Sequence, residues 1–363
     1  MKKRILVIGS TGKLGKKLLN YCYQNNIKIS AITCFRNINL IIKQSKSYNI
    51  KNKFILSDSI DKNNFRQYLR YHKFDIIYFL DYGCESLEYL NILLLKNSKS
   101  LIAVANKELI IAAGPNLNKN LKKNNNIFIP LDSEHFSLKN NLISNNNVKN
   151  IFITASGGPF YFKKSVDLNK VSLTSVINHP KWKMGVNNSI DSSNFINKLL
   201  EIHELTYIYD INIEKINFYV SKNAYIHSLV EYIDGTITIN CYNNDMLIPL
   251  IFPLFSVNKS LKLNLPKLYF DNKMLCMEKY KDSRFKLLKQ LSFLKKLDHV
   301  NVIKFLLLNN KAHDLYLKKS LEYNYIIPFI IDKLKKDNEY ADLSNFNKTL
   351  KFINSFKKKY ETI

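Results

Sequence analysis

Arginine is nearly missing from a strongly basic chain: among 363 residues Lys and Arg total 55 against 29 Asp and Glu, a formal charge of +26, yet arginine stands only at 4, 36, 66, 70 and 284. Arg is the side chain that forks bidentately onto guanine, and neither an Arg-rich helix nor a C-x-x-C finger occurs, so nucleic acid is not expected as a partner. Lysine interleaved with Asn and Ile along the whole length reads instead as a compositional bias and a solvated surface. Cysteine is also scarce. The five thiols, at 22, 34, 84, 241 and 276, are odd in number and lack metal-ligand spacing, as expected of reduced cysteines in the cytosol. No apolar run approaches the roughly 20 residues that span a bilayer, and an apolar strand follows Met1 to Arg4 at once, which leaves no room for a targeting segment. These absences predict a soluble cytoplasmic protein without a membrane partner.

What is present is ordinary globular material. Hydrophobic residues make up 46% of the chain, enough to bury a core. Single cores stop growing at roughly 250–300 residues, so two or three domains are expected. Apolar strands alternate with helical stretches through Ile5 to Ile8, Lys13 to Tyr23, Lys28 to Ile32, Phe65 to Tyr71, Asp75 to Leu80, Leu87 to Leu95 and Leu101 to Ala105. That alternation predicts an α/β, Rossmann-like N-terminal domain with a parallel sheet over residues 1–130. From 131 to 265 the pattern changes to strand-like pieces around a glycine-bearing loop and a helix over Ser193 to Tyr207, as in an α+β catalytic domain. Residues 266–281 read as a linker. Over 282–363 apolar residues recur at three- and four-residue spacing (Phe285, Leu288, Leu291, Leu294), predicting a helical C-terminal domain.

The chemistry-bearing residues cluster. Gly9, Gly12 and Gly15 lie between the first strand and a helix, where such a turn admits a pyrophosphate at the helix N-terminus. The second strand ends at Cys34-Phe35-Arg36-Asn37 with no carboxylate to take ribose hydroxyls, so Arg36 suits a 2′-phosphate and NADPH is favoured over NADH; a surface arginine at a strand end is the plain alternative. Lys107 opens a helix after a strand and could lie between cofactor and substrate, on weak placement alone. Asp132 and Glu134, two apart at a strand end, would point to one side in extended geometry, and Glu201 and Glu204, three apart, share a helix face. Converging carboxylates repel unless a hard cation such as Mg²⁺ or Mn²⁺ joins them, against the alternative of scattered surface acids. Ser156, Ser192, Asn197 and Lys198 together would make a phosphate pocket, although each alone suits an N-cap or turn. Trp182, the one tryptophan, sits in a loop bounded by Pro180 and Gly185 and could close over a ligand or simply pack. His227, followed by apolar residues, reads as structural.

Taken in order, G-S-T-G-K-L-G (9–15), A-N-K-E (105–108), P-L-D-S-E-H (130–135), T-A-S-G-G-P-F (154–160), H-P-K-W-K-M-G (179–185), D-S-S-N-F-I-N-K-L-L-E (191–201) and I-H-S-L-V-E-Y-I-D-G (226–235) resemble 1-deoxy-D-xylulose 5-phosphate reductoisomerase. The resemblance is specific from residue 5 to about 240. It implies conversion of 1-deoxy-D-xylulose 5-phosphate to 2-C-methyl-D-erythritol 4-phosphate in isoprenoid precursor biosynthesis, with NADPH, Mg²⁺ or Mn²⁺, and a homodimer. It further implies that Asp132, Glu134 and Glu201 ligate the metal, and that with Lys107 they carry the catalysis. The substrate would meet Lys107, Ser133, Glu134, Ser156, Ser192, Asn197, Lys198, Glu201 and His227, with His179, Trp182 and Met184 on a mobile flap. NADPH would be surrounded by Gly9, Ser10, Thr11, Gly12, Lys13, Leu14, Arg36, Asn37, Asn106, Glu108 and Gly185. The chain departs from the family pattern at Phe35, Asn187, Asn188, Leu199, Asn223 and Ala224. A C-terminal motif rich in Asn, Ala and Glu is reduced to Asn309-Asn310-Lys311-Ala312-His313. Another NADPH-dependent oxidoreductase, or a basic binding protein on a decayed reductoisomerase scaffold, is the alternative reading.

Overall fold

The computed structural model describes residues 3–139, 141–142, 147–177, 185–266, 268 and 276–361. The chain begins β1 (Ile5–Ile8), α1 (Lys13–Gln24), β2 (Ala31–Cys34), α2 (Ile38–Ser47), β3 (Asn52–Ile55), α3 (Ser59–Tyr71), β4 (Ile76–Phe79), α4 (Ser86–Lys96), β5 (Leu101–Val104), α5 (Lys107–Ala113), α6 (Asn116–Lys123), β6 (Ile127–Pro130) and α7 (Ser133–Leu138). It continues through β7 (Val148–Ala155), α8 (Leu173–Ile177), α9 (Val186–Asn194), α10 (Ile196–Tyr209), β8 (Ile216–Val220), β9 (Ile226–Tyr232), β10 (Ile237–Cys241) and α11 (Leu247–Ile251). The last elements are β11 (Glu278–Lys279), α12 (Lys286–Lys295), α13 (His299–Leu317), α14 (Ile326–Lys336) and α15 (Phe346–Glu361). Two compact units result: Met1–Lys139 with Asp245–Pro266 and Asn345–Leu350, and Asn140–Asn244 with Lys267–Ser344 and Lys351–Ile363.

In the first unit the strand order is β3-β2-β1-β4-β5-β6 and every pairing is parallel. Parallel neighbours need crossovers, which the helices supply, and β1 and β4 are buried at every position, as strands covered on both faces must be. The direction of winding reverses between β1 and β4. Doubly wound sheets open a crevice at such a reversal, beyond the carboxyl ends of the strands. The core holds Ile5, Val7, Leu18, Ile32, Ile76 and Tyr78, and it takes in Leu250, Ile251 and Leu254 from the later segment Asp245–Pro266. Tyr78 Oη donates to the Leu250 carbonyl at 2.9 Å, satisfying a phenol buried in that core. Sequence periodicity passed over α2, β3, α6, α7 and α11 here; Asn52 and Lys53 of β3 are exposed, and α11 lies in a proline-containing stretch without a clear period.

The second unit carries a mixed sheet in the order β10-β9-β7-β8-β11, with β7 and β8 parallel and the other pairs antiparallel. The helices α12, α13, α14 and α15 realise the helical character read from the last 80 or so residues. One helix expected over Ser193 to Tyr207 is two, α9 and α10, because Phe195 adopts a left-handed φ of 70° between them.

Asp337 anchors the C-terminal helices. Its carboxylate, 1% exposed, meets Lys304 at 2.8 Å and Lys359 at 2.5 Å. Burial alone would raise its pKa, but the bonds from Lys304 and Lys359 prevail and hold it at about 2. A carboxylate depressed below its unfolded value of 3.8 stabilises the fold above that value, and the contribution disappears as pH falls through about 2. Urea unfolding between pH 5 and pH 2 should therefore show an acid loss to which Asp337 contributes about 2 kcal/mol. Asp337→Asn should flatten the curve by that amount, and an unchanged slope would remove the assignment. Among the described residues no helix is long and apolar enough to cross a membrane. None of the five cysteines is in a disulfide.

Candidate active site

The turn after β1 is built around close backbone contact. Gly9 has a φ of +89°, and a Cβ placed on it would stand 2.5 Å from the Asp81 nitrogen at the end of β4. Gly15 lies in the first turns of α1, where a Cβ would stand 2.5 Å from the carbonyl oxygens of Gly9 and Ser10. Glycine at both positions lets α1 start directly above the sheet's reversal point. Gly12 N-caps α1 without a side-chain bond, and the first turn of α1 carries no acidic residue that would oppose an anion there. Thr11 and Leu14 are half-buried, and Gly12 and Lys13 are exposed beside that end. Ser10 differs: its hydroxyl donates to Gln44 Oε1 at 2.8 Å and its carbonyl accepts from Gln44 Nε2 at 2.9 Å, so its polar side is turned inward.

At the end of β2 Arg36 is exposed, its guanidinium carbon 5.0 Å from the ring centre of Phe35. Asn37 N-caps α2, its Oδ1 accepting from the Leu40 amide at 3.2 Å. Asn106 in the same way caps α5, accepting from the Leu109 amide at 2.9 Å while its Nδ2 donates to Asp81 at 3.2 Å and to the Gly83 carbonyl at 3.0 Å. The expected cofactor residues Asn37 and Asn106 are thus helix caps first. Glu108 is buried in the first turn of α5. Asp81 was not singled out from the sequence, though an acid directly after an apolar strand is a visible signal. Burial pushes its carboxyl up to about 6, against the opposing bonds from Ser86 and Asn106.

Asp132 keeps an extended backbone, with φ of −61° and ψ of 138°, but Glu134 already lies in a helix. β6 ends at Pro130, and Asp132 N-caps the short helix α7, its Oδ1 accepting from the Glu134 amide at 3.2 Å. An acid two residues before an unsatisfied amide closes that turn more readily than it continues a strand. Glu134 stands in the first turn of α7, and Ser133 donates to its carboxylate. Lys107, from the start of α5, reaches Asp132 Oδ2 at 2.6 Å, with both side chains less than one-fifth exposed. Here a cationic group already sits on one of the expected metal ligands.

In the second unit Gly157 and Gly158, at φ of +78° and +59°, turn the chain after β7. A Cβ on Gly158 would be 2.7 Å from the Ser192 carbonyl oxygen, so the loop bearing Ser156 packs directly on α9, which bears Ser192. Ser156 Oγ accepts from the Gly158 amide at 3.3 Å. Arg284 fixes the next stretch of chain by donating to the carbonyls of Lys163 and Val166 at 3.0 Å and pairing with Asp282 at 2.8 Å. At the start of α10 Lys198, 4% exposed, pairs with Glu201, 1% exposed, at 2.5 Å, and Asn197 donates to the same carboxylate. Glu204 is fully buried one turn further on. Between them His203 faces elsewhere: its Nε2 lies 3.0 Å from the Leu294 carbonyl, and burial lowers its pKa to about 4. His227 on β9 is buried, stacked on Tyr242 with ring centres 3.9 Å apart, its Nε2 3.2 Å from the Tyr242 carbonyl. Gly185 N-caps α9 at its exposed start. His179, Trp182 and Met184 lie outside the described residues.

Carboxylates held by ammonium groups, a glycine turn at a sheet reversal and a serine-bearing loop packed on the end of α9 agree with a phosphate- and cation-binding enzyme that uses a nucleotide. A curated reductoisomerase of Pelagibacter ubique is 31% identical to this chain across 89% of both sequences. The chain belongs to the 1-deoxy-D-xylulose 5-phosphate reductoisomerase family. A family model described as the 1-deoxy-D-xylulose 5-phosphate reductoisomerase C-terminal domain matches residues 128–209, the stretch that carries Asp132, Glu134, Ser156, Ser192 and Glu201. The Thermoanaerobacter pseudethanolicus reductoisomerase is 29% identical over 96% of this chain and 97% of its own length. Among solved structures, the Zymomonas mobilis reductoisomerase in complex with NADPH aligns with a TM-score of 0.83 at 23% identity, covering 99% of this chain and 98% of that one. A reductoisomerase complexed with NADPH, fosmidomycin and magnesium aligns with a TM-score of 0.81 at 21% identity, covering 98% and 97%. These similarities give the reductoisomerase fold, Rossmann-like N-terminal domain included, over nearly the whole chain.

Proposed function

We propose that this protein rearranges and reduces 1-deoxy-D-xylulose 5-phosphate to 2-C-methyl-D-erythritol 4-phosphate, using NADPH and a divalent cation, Mg²⁺ or Mn²⁺. The observation that carries the reading is family membership over 89% of the chain with every expected carboxylate in place. Solved relatives bind NADPH, magnesium and fosmidomycin. The donor set here fits such ligands: carboxylates at 132, 134 and 201 are hard oxygen donors, and Asp132 and Glu201 each hold a side-chain ammonium at 2.5–2.6 Å. Buried carboxylates require positive charge.

In this reading Asp132, Glu134 and Glu201 hold the cation. Ser156, Ser192, Asn197 and Lys198 hold the substrate phosphate, with Ser133 and His227 bordering the sugar. Gly9, Ser10, Thr11, Gly12, Lys13, Leu14, Arg36, Asn37, Asn106, Glu108 and Gly185 surround NADPH. When bound, the cation supplies Lewis acidity to adjacent substrate oxygens and NADPH supplies the reducing equivalents. The chain's own contribution is positional. Lys107 keeps an ammonium at the junction of α5 and α7, the serine loop and the first turn of α10 fix the phosphate end, and the buried cap Asn106 and half-buried cap Asp132 keep both helix starts rigid. The family resemblance assigns the exclusion of water to His179, Trp182 and Met184, which lie outside the described residues. A phosphonate bearing a hydroxamate should change Trp182 emission only with Mg²⁺ or Mn²⁺ present, and saturating binding without a spectral change would remove the flap.

We also place the enzyme in the cytoplasm as a homodimer. The β10 edge exposes Ile237 and Ile239 on one face, with Ile233 nearby, and an uncovered apolar sheet edge is a surface that a second copy would cover.

NADPH oxidation that requires both deoxyxylulose phosphate and the cation tests the reading. NADPH oxidation with other carbonyl substrates alone would favour a different oxidoreductase, and NADPH binding without turnover a decayed scaffold. Cofactor choice is tested at Arg36, whose exposed guanidinium suits a 2′-phosphate. Arg36→Ala should raise KM for NADPH about tenfold or more, the value of a lost charge-assisted contact, and leave NADH unchanged. An unaltered NADPH/NADH ratio would move that role to another residue.

A further inference from the structure

The worn C-terminal motif at 309–313 has a partner that the sequence did not reveal. Asn309 and His313 lie four residues apart on α13 and so share one face of the helix. Both converge on a single oxygen: Asp191 Oδ1 accepts from Asn309 Nδ2 at 2.9 Å and stands 2.8 Å from His313 Nε2. His313 is 0% exposed, Asn309 1% and Asp191 7%. Asp191 is on α9, immediately before Ser192, and the same helix end is tied again by Tyr323 Oη, which donates to the Ser193 carbonyl at 2.9 Å. Buried polar groups of this kind contribute little net stability, but they fix geometry, because removing one partner strands the others without water.

We infer that Asp191, Asn309 and His313 form a clamp of positioning residues that sets the height and rotation of α9, and thereby the placement of Ser192 for the substrate phosphate. The inference rests on the proposed role of Ser192. Neither Asn309 nor His313 touches the substrate in this arrangement; both act through Asp191. A shifted Ser192 loses phosphate affinity and spares the nucleotide turn, which belongs to the other compact unit. His313→Gln keeps a donor that can reach Asp191 from the same helix face, whereas His313→Ala leaves none.

Steady-state kinetics of the full-length, metal-loaded enzyme test this with four variants. His313→Ala should raise KM for deoxyxylulose phosphate about tenfold, the scale of one lost close contact to a buried charged group, with KM for NADPH within about twofold. His313→Gln should recover most of that loss. Asn309→Ala, which removes the hydrogen-bond donor to the same oxygen, should raise the same KM and serves where His313→Ala does not fold. Ser192→Ala is the reference for the phosphate assignment. If it raises KM while soluble His313→Ala and Asn309→Ala do not, or lower only kcat, the clamp is overturned and the phosphate site stands. If Ser192→Ala itself leaves KM unmoved, the phosphate assignment falls and the clamp's role falls with it.

Discussion

Asp132→Asn should cut reductoisomerase turnover by roughly three orders of magnitude, on the order of 4 kcal/mol of lost transition-state stabilisation. NADPH affinity should stay within about twofold of wild type, a difference well below 1 kcal/mol. The substitution is chosen because Asp132 has two separable jobs. Its Oδ1 caps α7 by accepting from the Glu134 amide, and asparagine caps as well as aspartate does. Its Oδ2 carries the charge that meets Lys107 at 2.6 Å, and asparagine removes that charge. Fold and cap survive while the hard anionic donor is lost. Calorimetry with Mn²⁺ alone gives a second reading that does not depend on turnover, in which the cation's affinity should drop at least tenfold, the scale of one lost charged ligand. Undiminished turnover with unchanged Mn²⁺ binding would remove Asp132 from the metal site.

How much of this was legible in the sequence varied with the range of the interaction. The β1 turn could be read because strand, glycines and helix are contiguous, and the packing of Gly9 on Asp81 and of Gly15 on Gly9 and Ser10 gives the physical reason for those glycines. The i, i+3 pairing of Glu201 and Glu204 on one helix was equally local, and both are buried on α10. The two-residue spacing of Asp132 and Glu134 could not distinguish a strand end from a capped helix start, although their carboxylate oxygens do lie within 4.8 Å of one another. Tertiary partners stayed hidden. Nothing local says that Leu250 and Ile251 complete the first core, that Asn106 caps α5 while bonding Asp81, or that His313 faces Asp191, since each partner lies between 25 and 172 residues away or belongs to a cluster drawn from distant segments. Ser10, Asn37 and Asn106 show the same limit from the other side. The motif gives their place beside a cofactor, but only the fold shows that their polar atoms also hold the scaffold together.

Glu201→Gln should be as damaging as the change at Asp132, for a different physical reason. Glu201 is 1% exposed and its carboxylate engages Lys198 at 2.5 Å and Asn197, so all three side chains at the start of α10 are organised around one negative charge. A neutral glutamine leaves the Lys198 ammonium buried without its counter-charge, and such a half-removed pair typically destabilises by about 3–5 kcal/mol. The effect should therefore appear twice: as a Tm lowered by several degrees, a shift expected for a loss of that size in a domain of this length, and as turnover reduced by about three orders of magnitude because the cation loses a ligand. A double replacement separates the two. Glu201→Gln combined with Lys198→Met removes the stranded charge along with its partner, so the thermal stability should return towards wild type. Turnover should stay as low as in the single variant or fall further, since the phosphate would then lack its lysine. If the double variant regained activity along with stability, Glu201 would be a counter-ion for Lys198 and no part of the metal site. If stability did not recover while turnover remained low, the pair would be held by more than its mutual charge, and the burial of Glu204 one turn away on the same helix would be the next place to look.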